Sequence, residues 1–237
     1  MGNGSSKPPR SLELTHNGPG FREYTTLSDM WDKIYHCCTA STFNGNEVLY
    51  AEEGLLDEIV TGDFIREAFR ISGGQVLERE DSLVRFVVEK SKKIFAAWLA
   101  TLVTGSGWNF RDCMQKFQDH SIEDVNLPLE KSHEIFSALG WQANDWWPRL
   151  FCEERQWMFL VPVISTRSAA KYRYRLPKRT ILPLIKVNDI PKDGYKDKGS
   201  FGKVLKYKVN TKHFKDEEDL VSPFVAYPRV QAWTNRS

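Results

Sequence analysis

Through the first two-thirds of the chain, apolar residues recur at steps of three and four, the spacing of amphipathic helices. Leu27, Met30, Trp31, Ile34, Tyr35 and Cys38 share one helical face, with Ser28 or Asp29 placed to cap its start. Leu55, Leu56, Ile59, Val60, Phe64 and Phe69 mark a second segment, broken near Thr61-Gly62. From Asp81 to Val103, Leu83, Val87, Ile94, Trp98 and Leu102 form a stripe that Val84, Val88, Phe95 and Leu99 widen. A stripe that broad predicts one central, largely buried helix. Thr104-Gly105-Ser106-Gly107 is its expected stop. Further helical turns are expected at Asn109–His120, Glu130–Leu139 and Asp145–Phe159, with Pro148 suited to the first turn of the last.

Beyond about residue 165 the pattern changes. Lys171-Tyr172-Arg173-Tyr174-Arg175-Leu176 alternates strictly, which in a strand puts Tyr172, Tyr174 and Leu176 on one face and the charges on the other. Arg167, Lys171, Arg173, Arg175, Lys178 and Arg179 give this stretch six basic residues and no acidic one. They are a candidate patch for phosphate or lipid headgroups. An edge strand with a solvated charged face explains them better and is the preferred reading. The expected fold is therefore mostly α. A flexible tail spans 1–20, a helical domain 21–165, and a short β-rich extension 166–237.

Composition narrows this picture. In 237 residues, 41% hydrophobic and 13% aromatic content supplies a real core. The formal net charge of +2 gives no global pull toward nucleic acid, so specific nucleic-acid binding is not expected. The N-terminus has no apolar signal core, and the longest apolar run, Ile94 to Val103, falls far short of the ~20 residues of a membrane span. A cytoplasmic protein with reduced thiols is expected, with peripheral membrane contact left open beside a protein partner for the helical domain. Adjacent Cys37 and Cys38 have the wrong spacing for zinc even with His36 beside them, so buried helical thiols and no metal site are expected. Trp141, Trp146, Trp147 and Trp157 crowd one region and are expected in the core rather than around a ligand. His120 and His133 lack partners at catalytic spacing, and no catalytic residue is assigned.

Lys198-Gly199-Ser200-Phe201-Gly202-Lys203-Val204 is the candidate phosphate loop. Gly199 and Gly202 allow a tight fold that brings backbone amides, with Ser200, close to phosphate oxygens. Phe201 is placed to cover the loop tip, and Val204 to press on a purine.

Segments along most of the chain resemble protein-kinase-like proteins of filamentous fungi, which carry a helical region ahead of a kinase domain. The resemblance lies in Gly54-Leu55-Leu56-Asp57-Glu58-Ile59-Val60, Val87-Val88-Glu89-Lys90-Ser91-Lys92-Lys93-Ile94-Phe95 and Asn126-Leu127-Pro128-Leu129. It continues in Phe151-Cys152-Glu153-Glu154-Arg155-Gln156-Trp157-Met158-Phe159-Leu160-Val161-Pro162-Val163 and Thr180-Ile181-Leu182-Pro183-Leu184. The glycine loop, residues 197–204, then falls where the family begins its kinase fold. The resemblance implies that the β-rich extension holds the first strands of a kinase small lobe, with ATP and Mg²⁺ as family cofactors. It departs from the family in four ways. Asp197 stands at the first loop glycine, where a carboxylate opposes phosphate. Pro191-Lys192-Asp193-Gly194-Tyr195-Lys196 lengthens the approach to the loop. Val225-Ala226-Tyr227-Pro228 puts proline where the phosphate-holding lysine belongs. No His-Arg-Asp or Asp-Phe-Gly is present. The expectation is a truncated family member that binds ATP weakly or not at all and is catalytically incompetent.

Two other readings stay open. The helical domain could serve by itself as a protein-interaction module, or the loop could bind nucleotide in a regulator. Met1-Gly2-Asn3-Gly4-Ser5-Ser6 fits an N-myristoylation pattern at Gly2, which with the basic stretch gives the interaction module a route to a membrane surface. Co-expression with N-myristoyltransferase should add one acyl mass to Gly2; an unmodified intact mass removes that route.

Overall fold

The structure, a computed structural model, describes residues 24–43, 46–73, 80–103, 109–142, 145–163, 176–186, 198–199, 202–203 and 207–213. It is mostly helical. Eight α-helices are described: α1 (Leu27–His36), α2 (Leu55–Ile59), α3 (Gly62–Ile71), α4 (Glu80–Lys90), α5 (Lys92–Leu102), α6 (Phe110–Asp119), α7 (Glu134–Ala138) and α8 (Trp146–Glu153). Three short antiparallel strand pairs accompany them: β1 (Thr39–Ser41) with β2 (Val48–Tyr50), β3 (Leu184–Lys186) with β6 (Tyr207–Val209), and β4 (Lys198–Gly199) with β5 (Gly202–Lys203).

Helix α1 is capped two positions before Ser28 and three before Asp29, the caps expected. Thr26 is the N-cap, and Asp29 completes a reciprocal capping box: Thr26 Oγ1 accepts from the Asp29 amide at 3.1 Å, and Asp29 accepts from the Thr26 amide at 2.8 Å. The break expected near Thr61-Gly62 is present, with Thr61 capping α3 by accepting from the Phe64 amide. Pro148 lies in the first turn of α8.

The single helix expected over 81–103 is two. Ser91 leaves helical geometry at φ −143°, ψ 37°, and its hydroxyl turns back to the Phe86 carbonyl. The chain restarts as α5, whose residues Ile94 through Leu102 are all buried. A helix apolar on every side belongs at the centre of a core, and α1, α2, α4, α6, α8 and the 3-10 turn Arg155–Phe159 pack around it. Water is scarce at its first turn, so its free amides need protein acceptors. Asp124 supplies both, accepting from Lys93 and Ile94 amides at 3.0 Å each. Desolvation raises the Asp124 pKa, and the two backbone bonds oppose that rise.

The aromatic core gathers on Trp98. It stacks on Trp141 at 4.7 Å and meets Phe117 and Phe151 edge-on. Trp141 and Trp157 are buried as expected, but Trp146 is 54% exposed, because it opens α8 on the outer face. The thiols divide similarly. Cys113 and Cys152 are buried in helices, and burial pushes them up to about 11 and about 12. Cys37 corrects the expectation of buried thiols: as the C-cap of α1 it is exposed, and Cys38, half-buried, follows the helix. Gln156, 1% exposed, uses its whole amide, accepting from the Leu129 amide and donating to the Leu129 and Cys152 carbonyls.

Replacing Asp124 with alanine should lower unfolding stability by about 1–3 kcal/mol, because two backbone amides at the start of α5 lose their acceptor. Urea denaturation checks this. Asp124→Asn, which keeps one acceptor oxygen, should fall between parent and alanine variant.

Candidate functional site

The glycine hairpin is the first feature to place. Leu184 faces Val209, Ile185 faces Lys208 and Lys186 faces Tyr207 in the outer ladder. Lys198 faces Lys203 and Gly199 faces Gly202 in the inner one. Both ladders are antiparallel, and the second lies within the connection of the first. They are out of step, however. Residues 187–197 separate the ladders on the first arm, and only 204–206 on the second. The first arm therefore carries eight extra residues, which fits the expected lengthening at 191–196. Candidate residues Gly199 and Gly202 are paired across the inner ladder; Ser200, Phe201 and Val204 lie outside the described residues, as do Asp197 and Pro228.

The helical region holds the outer ladder through β1 and the loop after β2. The Thr42 amide donates to the Leu184 carbonyl at 3.0 Å, and the Ser41 hydroxyl lies 2.6 Å from the Leu182 carbonyl. Val209 is buried, and Tyr207 meets the Phe43 ring at 5.5 Å. Tyr207 thus packs against the segment that follows β1.

A polar cluster fastens the end of β6. Asn210 Nδ2 donates to Glu52 Oε1 at 2.6 Å and to the buried Tyr50 hydroxyl at 3.0 Å. Thr39 also donates to Glu52, and Lys212 Nζ pairs with it at 3.0 Å. Burial opposes ionisation of Glu52, yet bonds from Thr39, Lys212 and Asn210 together outweigh it and hold the carboxyl below its ordinary value. His213, 1% exposed, closes the cluster. Its Nδ1 lies 3.3 Å from the Pro162 carbonyl, which only accepts, so Nδ1 carries the proton. Its Nε2 then accepts from the Glu53 amide at 3.3 Å. Desolvation lowers the His213 pKa, against the raising effects of the Pro162 bond, Glu53 and Glu52; Lys93 adds to the lowering.

A second feature is an open cleft of about 540 Å³ between the β1–β2 hairpin, the 155–158 turn and residues 179–182. Arg179, from the candidate basic patch, reaches this cleft and pairs with Glu153 at 3.4 Å. Lys178 is exposed; Arg167, Lys171, Arg173 and Arg175 lie outside the described residues, as does Gly2. Leu176 is exposed and in no strand. Among the described residues, no group of three His, Cys, Asp or Glu is placed to hold a metal, and no helix is long and apolar enough to cross a membrane.

Glu52, Asn210, His213 and Asp124 carry none of the expectations drawn from sequence. Each bonds a residue distant in the chain, and no local motif marks them.

A scan of the chain against protein-family models matches none, and searches of curated proteins and of solved structures also return no match.

The His213 geometry sets a pH dependence. Its folded pKa lies below the ordinary 6.5, so the stability it contributes is present above that value and is lost as pH falls through the folded value. Protonated Nε2 would point a proton at the Glu53 amide. Hydrogen-exchange protection of the Glu53 amide and of residues 207–213, corrected for intrinsic rate, should fall between pH 7.5 and 5. His213→Gln should flatten that dependence; an unchanged pH profile in the variant assigns the effect elsewhere.

Proposed function

We propose that this chain supplies the helical region and opening hairpin of a protein-kinase-like protein of the filamentous-fungal type, whose family role is ATP-dependent phosphoryl transfer to protein. The observation that carries the reading is the nested pairing: β3 with β6, and the Gly199–Gly202 pair between them. That is the order of strand, glycine turn and strand that lies over nucleotide phosphates in kinases. In this role the amides around Gly199 and Gly202 approach phosphate, Phe201 covers the tip, and Val204 contacts the base. The helical region's part is mechanical: through Ser41, Thr42 and Glu52 it holds the arms of the hairpin.

These 237 residues contain no His-Arg-Asp and no Asp-Phe-Gly, and Pro228 stands at the lysine position. Phosphoryl transfer needs base, metal ligands and lysine held together, so this chain alone holds nucleotide weakly and transfers nothing. A second reading, a helical protein-interaction module, is favoured by one observation: the core around α5 draws on α1 through α8 and, among the described residues, includes none after Phe159.

Amide spectra of the purified chain titrated with MgATP test the first reading. Shifts at Gly199 and Gly202 are expected, saturating with a dissociation constant on the order of 1 mM. No phosphate should reach a generic protein substrate. Silence at both glycines removes the nucleotide role, and clear turnover overturns the assignment of inactivity.

A further inference from the structure

The cleft beside β1 and β2 joins an apolar lining to a guanidinium that nothing among the described residues neutralises. Phe43, Val48, Leu49, Trp157 and Leu182 supply the apolar surface. Val48 is left 40% exposed there, and Tyr35 41%. The volume of about 540 Å³ falls in the range of small-molecule clefts.

Two arginines line it, and their situations differ. Arg179 shares Glu153 with Lys131 at 2.9 Å and Arg149 at 3.3 Å. Three cations thus surround one carboxylate, and the Lys131 bond is the largest cause of its lowered pKa. Arg155 has no ion pair among the described residues. It is half-buried, and its Nε is closed to solvent with no hydrogen-bond partner. An unpaired buried N–H is unfavourable, and an acceptor that reaches it relieves that cost. A guanidinium offers a carboxylate two parallel N–H groups. Glu47 and Glu154 also line the cleft, and their repulsion of a ligand doubles from one negative charge to two, which favours a single charge.

We infer that this cleft binds a small amphipathic carboxylate, its flat aromatic or branched apolar body against Phe43, Trp157 and Leu182 and its single charge on Arg155. The inference does not rest on the kinase-like reading, and it needs no nucleotide.

The test is amide spectroscopy of the full chain titrated with 2-naphthoate and, in parallel, with the neutral 2-naphthamide. Saturable shifts are expected at Val48, Leu49, Met158 and Ile181, with the amide binding about tenfold more weakly than the acid. Arg155→Gln should erase the advantage of the acid, and Arg179→Gln should keep it. Equal affinities for acid and amide, shifts confined to other residues, no saturation, or an Arg155→Gln chain that still prefers the acid each overturn the inference. If Arg155→Gln does not fold, the acid and amide comparison on the parent decides alone.

Discussion

Helix α5 is buried on every side, and that constraint organises the rest of the molecule. From Ile94 to Leu102 no residue reaches solvent, so other elements must cover each face and protein groups must satisfy the helix start. The faces are covered by helices from both directions along the chain and by the 155–159 turn. The start is satisfied by Asp124, thirty residues away, in place of the usual neighbouring cap. Ser91 belongs to the same solution. By breaking the helix it frees the Lys93 and Ile94 amides to receive that carboxylate. A continuous helix would have used both amides internally and left Asp124 desolvated without donors.

The 155–159 turn passes this order outward. Its residues Met158 and Phe159 pack into the core around α5, while the Met158 carbonyl accepts from Ala51 and so fixes the end of β2. Strand β2 presents Tyr50, and the loop after it presents Glu52 and Glu53, to the segment 210–213. The attachment at residues 210–213 is therefore polar, in contrast to the apolar centre. Polar attachment is selective in position, since each partner accepts only a matching donor, but it depends on protonation. Glu52 works while ionised and His213 while neutral, so acid acts on both in the same direction.

The helical periods were legible because burial writes them directly into composition. α1, α3 and α6 each bury one face, and that face repeats visibly along the chain. The α4–α5 break was not legible, since Ser91 interrupts no apolar stripe: the residues on both sides keep the same face. Only the distant carboxylate distinguishes a broken helix from a continuous one. Strands β1 and β2 escaped notice for a related reason. Each is three residues long, too short to alternate, and what holds them is pairing with each other and with residues 158 and 184. The candidate site divides in the same way. The glycines announced themselves by residue type, whereas Asn210 and His213 matter only through partners brought near by folding.

The unequal arms of the glycine hairpin limit how the proposed role can work. In an ordinary two-arm lid the ladder runs unbroken from base to tip, so anchoring the base fixes the tip. Here eleven residues on one side and three on the other separate the two ladders. Residue-for-residue pairing cannot run from one ladder to the other across such a mismatch. The grip of Ser41, Thr42 and Glu52 therefore positions β3 and β6 far better than it positions Gly199 and Gly202. In the proposed role that difference bears on the lid apart from the charge at Asp197 and the proline at Pro228, because preorganised amides are what make a backbone clamp effective toward phosphate.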